Sequence, residues 1–153
     1  MKVKKLLALM LAAVLALTML TACGGGKGKD VDISDVNAIL QSQGLDIEVK
    51  SSMELNTVMN IFKAAMKQND VYLVDTEILA SELGPLMPGF ACWQVYSSSQ
   101  QYDTSLEHAA ANAVRDLVAG YGANYRFYVS GIELVEPSTQ IRYWFVIVGA
   151  KNP

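Results

Sequence analysis

The chain has one histidine, His108, and that count limits its chemistry. A Ser-His-Asp triad would have to use it, and no nucleophile-elbow pattern surrounds any serine. A zinc site would need carboxylates or Cys92 for most of its ligands, and no ligand spacing supports one. No metal and no cofactor is expected. His108, Asn112 and Arg115 recur at steps of four and three, so a helix would carry them on one face, where they could hydrogen-bond an anion. Their spacing also fits the solvated side of an amphipathic helix, and that reading is adopted. Glu133 and Glu136 flank the end of a strand and are the carboxylates that acid-base hydrolysis could use. Carboxylates at such places commonly serve only solvation, and no catalytic residue is assigned. Two cysteines remain, Cys23 and Cys92. Cys92 sits between Ala91 and Trp93 with no neighbouring cation to lower its pKa, so a buried, unreactive thiol is expected.

Cys23 has a different setting. It closes Leu20-Thr21-Ala22-Cys23, at the end of an apolar run of 17 residues, 6–22, behind Lys2, Lys4 and Lys5. The lysines hold the start of the chain on the cytoplasmic side of a membrane. The run is about the shortest that spans a bilayer, and polar glycine-rich sequence follows at once, as in a processed signal. The segment resembles a bacterial lipoprotein signal peptide with its lipobox, an aliphatic residue and two small ones before the cysteine. The resemblance implies cleavage before Cys23 and lipidation of that residue. Two acyl chains on one cysteine are enough for stable anchoring. The organisation expected is a signal peptide over 1–22, a lipidated Cys23 with a flexible linker over 23–33, and one domain over 34–153.

Removing 22 of 153 residues leaves 131, the size of one domain with a real core. The full chain carries 12 basic and 15 acidic residues; without the three signal lysines its net charge moves from −3 to −6. Its bases are scattered, so nucleic acid is not an expected partner. With Cys23 lipidated, Cys92 has no disulfide partner in the chain, although the compartment would permit one.

The elements that must position these side chains follow from periodicity. Residues 34–43 read as a short helix capped by Ser34 and ended by Gly44, and 45–49 as a brief strand or connector. Ser51 with Glu54 forms a capping box for a helix over 52–68, whose Leu55, Val58, Met59, Phe62 and Met66 share one apolar face. A short strand is expected over 71–74 and a helix from Asp75 or Thr76 to Leu83, stopped by Gly84-Pro85. Residues 90–97 alternate as a strand, before a polar loop over 97–101. Thr104 with Glu107 forms a second capping box, and Leu106, Ala110, Ala113, Val114 and Leu117 form the buried face of a helix ending at Gly120. Small residues on that face let a helix lie close to a sheet. Residues 125–135 and 141–148 read as a hairpin, the second strand being the most apolar and therefore internal, with Phe145 and Ile147 buried. The class is α+β, an antiparallel sheet with packed helices.

The domain is distantly similar to the CAP superfamily, the cysteine-rich secretory protein and pathogenesis-related protein domain. The similarity lies in residues 55–79, with Asn60 and Lys63 where an asparagine and a basic residue often sit. It continues in the helix that precedes a final hairpin, and in Gly131-Ile132-Glu133-Leu134 and Tyr143-Trp144-Phe145-Val146 as the last two strands. It implies an αβα sandwich in an extracytoplasmic setting. Ala91-Cys92-Trp93-Gln94 stands where the family has Gly-Glu-Asn, and the cleft histidines have no counterparts, so no metal or cleft role is carried over.

The function expected is that of a lipid-anchored, non-catalytic binding or interaction domain on the outer face of a bacterial cell membrane. The alternatives are a cell-wall hydrolase working through carboxylates and a structural envelope lipoprotein. Trp93, Tyr96, Tyr121, Tyr125, Phe127, Tyr128, Tyr143, Trp144 and Phe145 lie on or beside the sheet. An open sheet face would let some of them bind a protein, peptide or glycan.

Overall fold

The computed structural model describes residues 30–68 and 83–153. The Leu20–Cys23 motif, most of the linker, the strand expected over 71–74 and the helix expected ahead of Leu83 lie outside the described residues.

Helix α1 spans Ile33–Ser42 and buries Val36 and Leu40. Its cap is Asp32 rather than Ser34: the Asp32 carboxylate accepts from the Ser34 and Asp35 N–H groups, satisfying two orphan donors where one hydroxyl would satisfy fewer. Strand β1 is only Val49–Lys50. The Asn37 side chain extends it sideways, donating to the Val49 carbonyl at 3.0 Å and accepting from the Val49 N–H at 2.8 Å. Helix α2 follows over Met53–Gln68, with its expected apolar stripe buried. Its cap lies one residue later than the spacing suggested. Ser52 accepts from the Leu55 N–H and donates to Glu54, while Ser51 is free to accept from Asn56.

After a 3-10 turn at Gly84–Leu86, strand β2 runs over Cys92–Ser99. It extends two residues past the expected end, because Ser98 and Ser99 are buried opposite Trp144 and Tyr143 rather than looped into solvent. Phe90 stays outside the strand, and its ring covers Gly149 so closely that a Cβ there would lie 2.5 Å from it. Helix α3 spans Leu106–Tyr121 and is capped by Ser105, not Thr104; Ser105 has the extended backbone a cap needs and accepts from the His108 N–H. Glu107 reaches instead to the Asp32 N–H, tying α3 to the start of α1. The hairpin is β3, Arg126–Val135, and β4, Arg142–Lys151.

The sheet order is β1-β3-β4-β2. β4 is internal and antiparallel to both neighbours, whereas β1 is parallel to β3, so the sheet is mixed. The parallel pair joins Val49 to Phe127 and Lys50 to Tyr128, residues too far apart in sequence to leave a local signature. The fold is α+β with a helical layer on each face. α2 covers Ile132, Leu134, Phe145 and Ile147. α1 and α3 cover Phe127, Val129, Trp144, Val146 and Val148. No sheet face stands open for aromatic contacts within the described residues: Phe127, Trp144 and Phe145 are buried, and Tyr121, the most exposed of the expected set, lies at the end of α3.

Candidate functional site

The outer edge of β3 is covered twice, by different segments. β1 pairs with it as far as Tyr128. Further along, the Val31 N–H donates to the Gly131 carbonyl at 3.1 Å, and Asp30 bridges Ile132 in antiparallel fashion. Val129 and Ser130 lie between the two. A cleft of about 310 Å³ opens at this notch. Its walls are Asp30, Val31 and Ile33 on one side and Ser51, Asn56, Met59 and Asn60 on the other, with β3 from Val129 to Gly131 as the floor.

Helix α2 places the asparagines. Asn56 and Asn60 are one turn apart and so project from the same side. Asn56 is held at both ends: its carbonyl oxygen accepts from the Ser130 hydroxyl at 2.7 Å, and its amide nitrogen donates to the Ser51 hydroxyl at 3.1 Å. Ser130 is buried, so this bond also satisfies a hydroxyl that would otherwise be desolvated without a partner. Asn60 is exposed, and its amide has no hydrogen-bond partner among the described residues. The cleft therefore presents one fixed amide and one open amide, two hydroxyls, a carboxylate at Asp30 and an apolar wall that includes Met59.

The residues singled out from sequence do not gather in this way. Asn112 turns inward and donates to Asp103 at 2.6 Å. His108 is exposed and its Nδ1 lies 3.1 Å from the Ser105 hydroxyl; Arg115 is exposed on the same helix. Glu133 accepts from the Trp144 indole N–H at 2.9 Å, and Glu136 accepts from the Thr139 hydroxyl within the hairpin loop. Each carboxylate is thus engaged locally. Cys92 is buried against the α3 layer, and burial pushes its thiol up, which keeps it protonated at neutral pH. Lys63 is buried within α2 and does not line the cleft, whereas Asn60 does.

Sequence reasoning missed a second polar cluster. Asp103 is buried and accepts from the Tyr96 hydroxyl, the Ser98 hydroxyl and the Asn112 amide. Burial, then the adjacent Asp103 carboxylate, pushes the Tyr96 hydroxyl up, so it stays a donor. With three donors on one carboxylate, the cluster fastens β2 to the start of α3. For the cleft, two asparagines a turn apart inside a helix are a visible signal, since asparagine is a poor helix former. Ser130 carries no such signal, because its contact with Asn56 spans 74 residues.

No protein family and no curated protein matches this chain. Among solved structures it is similar to an outer surface protein of Borrelia burgdorferi. The TM-score is 0.52 at 14% identity, over 82% of this chain and 99% of that one. At that identity the likeness is one of fold.

Proposed function

We propose that this chain is a bacterial lipoprotein, anchored through Cys23 to the extracytoplasmic face of the cell membrane, whose domain binds a ligand in the cleft beside β3. The anchoring rests on Leu20-Thr21-Ala22-Cys23 at the end of the apolar run. Among the described residues no helix is long and apolar enough to cross a membrane. The order of α2, α3 and the final hairpin, which resembles the CAP superfamily, agrees with an extracytoplasmic setting, as does a fold shared with an outer surface protein. Asn60 carries the binding reading: an open amide on a cleft whose other polar groups, apart from the single Asp30 carboxylate, are amides and hydroxyls.

Lipidation would also fix where the cleft works. Six residues lie between Cys23 and Asp30, and the seven steps from one to the other reach at most about 25 Å when fully extended. The chain enters the fold at the wall of the cleft itself, so the ligand would be met close to the membrane surface.

Mass spectrometry of the protein from a membrane fraction tests the anchor. The expected species lacks residues 1–22 and carries diacylglycerol on Cys23. Cys23→Ala should abolish that mass and release or mis-process the chain. An unmodified Cys23 in the wild type would remove the basis for the location.

A further inference from the structure

We infer that the cleft beside β3 takes a single compact, uncharged, hydroxyl-rich unit, one sugar ring of a neutral glycan; this rests on the reading of the cleft as a binding site. The first argument is length. β1 and the Asp30–Val31 segment leave only Val129 and Ser130 between them along the edge of β3. Two strand residues amount to about 7 Å, too short for an extended peptide to add itself as a strand. The volume, about 310 Å³, lies at the small end of the ~300–1,000 Å³ typical of small-molecule sites.

The second argument is charge. The described lining contains no Lys, Arg or His, and its one ionisable group is the Asp30 carboxylate. Anionic ligands are ordinarily held by Arg or Lys forks, and the carboxylate would repel them. The third is hydrogen-bond type. A carboxamide offers a donor and an acceptor side by side, which matches two adjacent hydroxyls that each donate and accept. Asn60 is open to do this, Ser51 is a second polar contact, and Asn56 is held rigid by Ser51 and Ser130. Met59, Val31 and Ile33 supply an apolar wall against which the C–H face of a ring can rest.

The test uses the full processed chain in zwitterionic lipid nanodiscs and saturation-transfer NMR. The probes are N-acetylglucosamine and glucose, with glucuronate and trialanine as comparators, all at millimolar concentration. Saturation of at least one neutral sugar is expected, with glucuronate several-fold weaker. Asn60→Ala should weaken the sugar about fivefold through loss of its hydrogen bonds. Asn60→Trp should fill the notch and abolish the signal. Asn60 is exposed, so both variants should keep the wild-type melting temperature, which is measured alongside. A sugar signal indifferent to Asn60→Trp would overturn the assignment of the sugar to this cleft. Trialanine binding that Asn60→Trp abolishes, with no sugar signal, would overturn the sugar and leave the cleft as a binding site. Silence from every probe would sink both readings of the cleft, while leaving the Cys23 anchor to its own measurement.

Discussion

The two faces of the sheet are filled in opposite ways. On one, α2 stands on large side chains: Leu55, Met59, Phe62 and Met66 meet Phe145, Ile147 and Ile132. The Phe62 and Phe145 rings lie 5.1 Å apart, tilted by 35°. On the other, α3 contributes Ala109, Ala110, Ala111 and Ala113 and lies close to the strands. The closeness is visible at Gly131, where an added Cβ would be 3.1 Å from Leu106 and 3.3 Å from Val146. A layer built on large side chains is sensitive to truncation, and one built on alanines is sensitive to enlargement. The same strands feed both, since Phe145 and Ile147 alternate with Trp144, Val146 and Val148.

The contrast gives its largest expected effect at Phe145. Phe145→Ala should cost about 3–5 kcal/mol, because it removes a ring from the middle of an internal strand and leaves a cavity that α2 cannot collapse to fill. Denaturant unfolding of the full chain measures it. An unchanged midpoint would mean that the α2 layer is not the principal truncation-sensitive core.

Leu117 is, with Leu106, one of two leucines that α3 buries on the alanine-rich face, and Leu117→Ala should cost about 2–5 kcal/mol. Phe145 and Leu117 lie on opposite faces, so their losses should add to within about 0.3–0.5 kcal/mol in a double-mutant cycle. Coupling above that would show that the sheet transmits strain between its layers. Enlargement reverses the asymmetry: Ala113→Leu should destabilise by about 1–3 kcal/mol by pushing α3 off the strands. A neutral or stabilising Ala113→Leu would contradict close packing on that face.

Much of this contrast is legible in the sequence. Three- and four-residue steps mark the α2 stripe, the alanines mark α3, and the unbroken apolar run marks β4 as internal. Each is a short-range pattern that one face of burial imposes on consecutive residues. The caps are displaced by a residue or two, because Asp32, Ser52 and Ser105 compete with neighbours of similar chemistry and only backbone geometry decides among them. The parallel β1 pair and the cleft are not legible. β1 is two residues long, and the notch exists only because Asp30, Ser51, Asn56 and Ser130 meet across distant parts of the chain.

The smallest effect concerns the rim of the α2 face. Lys151 at the end of β4 lies 2.7 Å from Glu54 in the first turn of α2, and its ammonium sits 4.7 Å from the Phe90 ring centroid and 5.4 Å from that of Tyr128. The hydrogen bond from Lys151, then that from Ser52, holds the Glu54 carboxyl below its ordinary range. A carboxyl with a lower pKa in the folded state stabilises the fold above its unfolded pKa, and that stabilisation disappears as pH falls through the folded value. Glu54→Gln should therefore lower the melting temperature slightly at neutral pH, and the gap from wild type should close as pH drops below the ordinary glutamate range. The pair is solvent-exposed, so added salt should narrow the gap as well. Lys151→Met keeps apolar cover over Phe90 and Tyr128 but removes the charge, so in that background Glu54→Gln should show a smaller pH dependence, the part that the Ser52 bond still supplies. A gap that persists undiminished in acid would mean that Glu54 acts through its shape at the helix start rather than its charge, and the α2 rim would then be held by packing, as its interior is.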